Sequence, residues 1–252
     1  MSGPEGAAEV RLHVAGPVAE IVLTADRRRN ALTVGMAHEL SEALRRVAED
    51  PSVGVLVVRS AGGFFCAGAD LGAIASAGSD PAEAEAFDGF DAIYRTFAQL
   101  AAMPVPTIAA VRGGAVGAGL NLALSADVRV VAEDARLLSG FLRIGVHPGG
   151  GHFQLVARLV GPERAAAMSL LGLEVRGADA PGCGLALRAV PDGDVDGAAH
   201  ELAARVVDPA LSRRATSSWR ANRATVEPAP DLLIRAEQAA QMWSFRRRGS
   251  GG

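Results

Sequence analysis

Apolar positions along the chain follow two periods, and the alternation between them predicts the architecture. Residues 18–24 ("VAEIVLT") and 53–60 ("VGVLVVRS") are compact runs rich in β-branched residues and bounded by turn signals, which predicts strands, the second fully buried. Between them Met36, Leu40, Leu44 and Val47 recur at helical spacing, and Asp50-Pro51 ends that helix. A break at 78–81 precedes a helix over 82–102. "TIAAV" at 107–111 predicts another buried strand, 120–126 a short helix and 127–132 a third inner strand. A glycine loop over 145–153 opens a further helix, and Pro162 marks the next helix start. From about residue 192 the chain reads as mostly helical and more polar. Strands alternating with helices predict an α/β fold with largely parallel pairing.

Composition narrows the classes. At 252 residues with 49% hydrophobic and 21% charged positions, the chain can bury a sizeable core. A net charge of −3 argues against a nucleic-acid surface, which carries a basic excess. No basic start followed by an apolar core suggests a secretory signal, and no apolar run reaches the roughly 18 residues of a membrane span. Cys66 and Cys183 form neither a disulfide framework nor a metal site on their own. The expectation is a cytoplasmic protein without metal, nucleic-acid or membrane partners. Lysine is absent from the sequence. That excludes Schiff-base lysine chemistry and a phosphate-binding P-loop, and it leaves cation duties to arginine.

Two strands run into loops of small residues, at 62–68 and at 113–119, where ligands of such folds collect. "VRGGAVGAGLNLALSAD" places Gly113, Gly114, Gly117 and Gly119 ahead of an apolar helix. A dinucleotide fingerprint fails, because Gly117-Ala118-Gly119 has no third glycine in register. Two readings remain open on spacing alone. Each loop can offer one backbone N–H to a carbonyl oxygen, forming an oxyanion hole, or both can be tight turns that let helix and strand pack closely.

The motifs "RRRNALTVGMAHEL", "VGVLVVRSAGGFFCAGADL", "PVPTIAAVRGGAVGAGLNLALSADVRVV" and "IGVHPGGG" resemble the crotonase superfamily, the enoyl-CoA hydratase/isomerase family, over about residues 10 to 191. The resemblance implies a spiral of ββα units spanning 1–191, holding an acyl-CoA site. A helical region over 192–252 would serve oligomerisation and pocket cover, in homotrimers or dimers of trimers. It implies no permanently bound cofactor, coenzyme A arriving as part of the substrate. The thioester oxygen would sit between the N–H groups of Ala69 and Ala118. Arg28 and Arg29 would lie near the CoA phosphates, Ala67, Gly68 and Ala69 along the CoA itself, and Asp70 would fix its loop.

The chain departs from the family where hydration needs two glutamates. Those positions are Asn121 and Phe141, neither of which can take and give a proton. The end of the chain, "RRRGSGG", also replaces a helix that many members continue. His147 is a speculative acid/base substitute, with His152 a second histidine at the same loop. Asn121 could instead orient water or a substrate carboxylate, and Arg143 could pair with an acidic substrate. Cys66 reads as small-residue packing. The sequence thus predicts an acyl-CoA thioester enzyme whose ordinary hydratase activity is doubtful, or else a non-catalytic acyl-CoA binding or carrier protein.

Overall fold

The computed structural model describes residues 8–70, 72, 84–224, 234, 237, 238, 241, 242 and 245. The expected break at 78–81 and most of the chain after 224 lie outside these residues.

The main sheet has six strands in the order β1 (Val10–Ala15), β2 (Val18–Leu23), β3 (Val55–Ser60), β4 (Thr107–Val111), β6 (Val128–Ala132) and β9 (Arg188–Val190). Strand β1 runs antiparallel to β2, and every other neighbour in the sheet is parallel. The uninterrupted apolar runs of the inner strands follow from burial on both faces. Leu56 and Val58 of β3 join one core with helix α1 (Val34–Glu49) and helix α2 (Ala84–Ala101). Val55 and Val57 of the same strand point the other way, onto helix α6 (Val195–Ala203), with Ile108, Ala110, Val130 and Ala132. Side chains alternate faces along a strand, so one run of Val and Leu feeds two layers.

The anticipated elements from 18 to 132 form within one or two residues of their expected bounds. Thr33 caps α1, its Oγ accepting the Met36 N–H at 3.1 Å, and Asp50 closes it, as the sequence suggests. The short helix begins earlier than expected. Helix α3 (Ala118–Ser125) starts at Ala118 because Gly117 turns the chain with φ 55°. Sequence reasoning missed β1 and a second, three-stranded sheet of β5 (Gly114–Val116), β7 (Arg136–Leu138) and β8 (Val175–Arg176). These strands are two to six residues long, too short for a clear period.

The second sheet explains the spiral. The chain leaves β4, turns at Arg112 and Gly113, forms β5, and returns through α3 to β6. The preceding turn of chain leaves β3 and bridges Cys66 to Ala115 of β5, and the following one leaves β6 for β7, which pairs parallel with β5. Each ββα turn therefore stacks a short strand beside the last, and the ends of these short strands meet at one place. Helix α4 (His152–Val160) and helix α5 (Pro162–Leu170) close that side, and helix α7 (Pro209–Ala224) follows α6.

Candidate active site

The two loops singled out in the sequence converge. Leu32 pairs with Ala69 in a parallel bridge, donating its N–H to the Gly68 carbonyl at 2.7 Å and accepting from the Asp70 N–H at 2.9 Å. In such a bridge Ala69's own N–H points away from Leu32, and Ala69 lines a cavity. Ala118 is the first residue of α3, so its N–H has no acceptor within the helix. An added Cβ at Gly68, where φ is +112°, would lie 3.9 Å from the Ala118 nitrogen. A Cβ at Gly119 would collide with the carbonyl of Cys66, so glycine there is what lets the two loops approach.

Ala69 and Ala118 both line one cavity of about 140 Å³. Its walls combine Ala67, Gly68, Gly117 and Val116 with the apolar side chains of Phe90, Phe141, Ile144 and Val146. Its polar side chains are those of Tyr94, Ser139 and Gln241. The Tyr94 hydroxyl donates to Gln241 Oε1, whose amide nitrogen donates to the His147 carbonyl at 3.1 Å. Burial pushes the Tyr94 phenol above its ordinary range, so it stays protonated at neutral pH.

Phe141 lines this cavity and Asn121 is not among its lining residues. Its amide nitrogen donates to the Gly149 carbonyl at 2.8 Å, and its Oδ1 accepts from His152 Nδ1 at 2.8 Å. Both ends of the amide are therefore engaged by groups of the protein.

His152 opens α4 with the whole residue buried. A carbonyl acceptor at Gly149 fixes which end of the Asn121 amide faces the ring, so Nδ1 carries the proton. The free Nε2 then accepts from the Ser139 hydroxyl, 2.9 Å away. Burial holds the imidazole down at about 3, far below its ordinary 6.5. Phe141 meets its ring edge-on with centroids 5.0 Å apart. Glu237 reaches across to accept the N–H groups of His152 and Phe153 at 2.7 and 3.1 Å. Burial pushes its carboxyl up to about 7, against the pull of those N–H groups.

His147 and His152 flank one loop but diverge. His147 does not line the cavity; its Nδ1 lies 2.6 Å from the Pro148 carbonyl and its ring stands edge-on to Phe153. Arg28 is held within the fold, its guanidinium on Glu9 with Nη2 at 2.5 Å from Oε2 and its Nε donating to the Ala31 carbonyl at 2.8 Å. Arg29 lies over the Phe64 ring at 5.7 Å. Arg143 donates to the Gly172 carbonyl at 3.1 Å, and Cys66 is fully buried with its thiol pushed up to about 12 by desolvation. Among the described residues no cluster of His, Cys, Asp and Glu could hold a metal ion, and no helix is long and apolar enough to cross a membrane.

Sequence reasoning did not single out Ser139, Tyr94, Gln241 or Glu237. Tyr94 carried one signal, being the sole tyrosine of the chain. Ser139 carried none, since a lone serine in "LLSGF" reads as loop.

A spiral of ββα units with two loop amides on a mainly apolar cavity defines a crotonase-type fold. Residues 14–242 match the sequence profile of the enoyl-CoA hydratase/isomerase family. "Probable enoyl-CoA hydratase EchA14" of Mycobacterium tuberculosis is 42% identical over 238 residues, covering 92% of this chain and 88% of the relative. An enoyl-CoA hydratase from Mycobacterium avium subsp. paratuberculosis superposes with a TM-score of 0.83 at 26% identity, over 98% of this chain and 99% of the other. OdaA of Pseudomonas aeruginosa superposes at 0.82 with 28% identity, over 95% and 94%. The chain belongs to the enoyl-CoA hydratase/isomerase family of the crotonase superfamily.

Proposed function

We propose that this protein binds an acyl-CoA thioester and stabilises an anionic form of its carbonyl between the N–H groups of Ala69 and Ala118. The observation that supports the reading is that Ala69 and Ala118, from separate loops, line one cavity whose other walls suit an apolar acyl chain. Two preorganised amides of this kind lower a barrier by several kcal/mol. Arg29 is the better candidate of the two arginines for a CoA phosphate, because Arg28 is engaged by Glu9. Coenzyme A comes and goes with the substrate, and the assembly expected of this chain is a homotrimer or a dimer of trimers.

Ordinary hydration of an enoyl-CoA is not the reaction this site favours. That reaction needs a carboxyl pair to hold water and move a proton, and Phe141 and Asn121 supply neither. A second reading, a binding or carrier protein without chemistry, is favoured by this same pair of neutral residues.

The test is a proline at the start of α3. Ala118→Pro deletes one donor at the first helical position, where proline is tolerated. Butyryl-CoA bound to the wild type should show its thioester C=O stretch shifted to lower frequency, and the variant should lose most of that shift. Calorimetry should show butyryl-CoA binding more tightly than free CoA. An unshifted carbonyl in the wild type, or no binding of butyryl-CoA, rejects the reading.

A further inference from the structure

The hydrogen-bond chain from Asn121 through His152 ends on Ser139, a residue of the cavity wall. Asn121 Oδ1 accepts from His152 Nδ1 at 2.8 Å, and Ser139 Oγ donates to His152 Nε2 at 2.9 Å. Asn121 is itself locked by Gly149. A hydroxyl, an imidazole and an orienting amide in this order form a nucleophile, a base and a group that fixes the base's tautomer.

The position of Ser139 matters as much as its partners. Strands β5 and β7 pair Val116 with Leu138, and the Gly117 N–H continues the ladder to the Leu138 carbonyl at 3.0 Å. Ser139 thus lies one strand spacing, about 4.8 Å, from Gly117, the residue before the Ala118 donor. Ser139, Ala69 and Ala118 wall the same cavity. Ser139 and Gly140 also wall a second cavity of about 220 Å³ with Leu142, Arg143 and residues 168–172, a route by which water can reach the serine.

Resting on the acyl-CoA reading above, we propose that this protein is an acyl-CoA hydrolase in which Ser139 is the nucleophile, His152 its base and Asn121 a positioning residue. Ser139 Oγ attacks the thioester carbonyl carbon, a C–O bond forms, and the hydroxyl proton passes to His152 Nε2. The oxyanion rests on the N–H groups of Ala69 and Ala118. Its collapse breaks the C–S bond, and His152 returns the proton to the departing CoA sulfur. Water then attacks the acyl-serine, giving its proton to His152. The acid leaves as the Ser139 oxygen takes that proton back. Atoms balance as one thioester plus one water giving one carboxylic acid and one thiol.

The dry setting shapes the kinetics. Desolvation keeps the resting His152 imidazole neutral at physiological pH, and its acceptance of a proton depends on the oxyanion that forms beside it. An imidazolium forms there only beside the oxyanion that offsets it. The reaction should therefore show no inflection near pH 6.5 in kcat/KM, unlike one run by an exposed histidine.

Incubation of the wild type with butyryl-CoA and hexanoyl-CoA, followed by chromatography and intact-mass spectrometry, tests this. The expected result is release of free CoA with the matching acid, and an acyl adduct on the peptide bearing Ser139 after acid quench. Ser139→Ala should bind butyryl-CoA within about threefold of the wild type by calorimetry and lose hydrolysis by about 10³-fold or more. Asn121→Ala should lower kcat more than it raises KM. Wild type that binds both thioesters but releases no CoA overturns the hydrolase and leaves the binding reading standing. Hydrolysis that persists in Ser139→Ala overturns the serine's role. Absence of binding to either thioester in the wild type overturns both.

Discussion

Between pH 6.5 and about pH 4.5 the unfolded chain takes up a proton on His152 that the folded chain refuses. The imidazole is buried, its Nδ1–H is given to Asn121 and its Nε2 is occupied by Ser139, so charging it means placing a cation in a dry pocket with no carboxylate on the ring. The folded value of about 3 lies below the ordinary 6.5. Through that window the unfolded state binds more protons, so stability must fall as pH falls. At pH 4.5 the separation of two pH units from 6.5 amounts to about 3 kcal/mol, at 1.36 kcal/mol per unit, a large share of the 5–15 kcal/mol typical of a folded domain. The assay is urea denaturation at half-unit steps from pH 7.5 to 4.5, for wild type and for His152→Gln, which cannot titrate. The difference between the two curves should grow by about 3 kcal/mol toward acid. Taking the difference removes Glu237, whose raised value makes stability change in the opposite sense. Parallel curves, or a ring proton of His152 titrating near 6.5 by NMR in the folded protein, would refute the argument.

Other outcomes follow from single contacts. Crotonyl-CoA should be hydrated at no more than a trace rate, since positioned proton-transfer groups supply about 10²–10⁴-fold; loss of the enoyl thioester absorbance at rates common to hydratases would count against this. Gly119→Ala should destabilise the fold by about 3 kcal/mol, because the new methyl meets the Cys66 carbonyl in a packed interior; an unchanged denaturation midpoint would mean the loops can separate. Arg29→Ala should weaken free CoA binding about fivefold, or about 1 kcal/mol, with an unaltered denaturation curve; equal affinity in calorimetry removes Arg29 from the site. Iodoacetamide should label the half-buried Cys183 long before Cys66, whose thiol is buried and held protonated; early labelling of Cys66 in native protein would contradict its packing.

The large elements were legible because their cause is local. Val55–Ser60 and Thr107–Val111 are apolar at nearly every position, which only a strand covered on both faces explains, and Thr33 and Asp50 mark the ends of α1 by their own side chains. The second sheet was not legible, since β8 consists of two residues and its pairing is dictated by the turns around it. The two glycine-rich loops could be brought together from sequence because their small residues allow close backbone approach, and Ala69 and Ala118 line one cavity. Polar side chains were harder. The contacts of Asn121 and Phe141 were not legible, since the hydrogen-bond partner of Asn121, His152, stands 31 residues away. Ser139 became significant only when β7 set it beside Gly117. The proline-turned loop separates His147 from His152 in a way that spacing cannot reveal, since five positions on an irregular backbone fix no direction.

Residues 121 and 141 are coupled through His152, and placing glutamates at both should not confer hydration. Asn121 donates to the Gly149 carbonyl. A carboxylate at 121 has no hydrogen to give, so Asn121→Glu leaves that carbonyl facing like charge and costs about 1–3 kcal/mol for the unpaired group, before the burial of a new charge. Phe141 packs edge-on against His152 and near the backbone of Gly117. Phe141→Glu would strip that apolar wall, admit water and place a carboxylate beside an imidazole now buried neutral, drawing a proton onto it. The double variant should therefore be less stable than either single variant by urea denaturation, and should hydrate crotonyl-CoA no faster than the wild type. The polar chain from Gly149 through Asn121 and His152 to Ser139 fixes these side chains on one another. Hydration gained in the double variant would show that this chain is incidental packing.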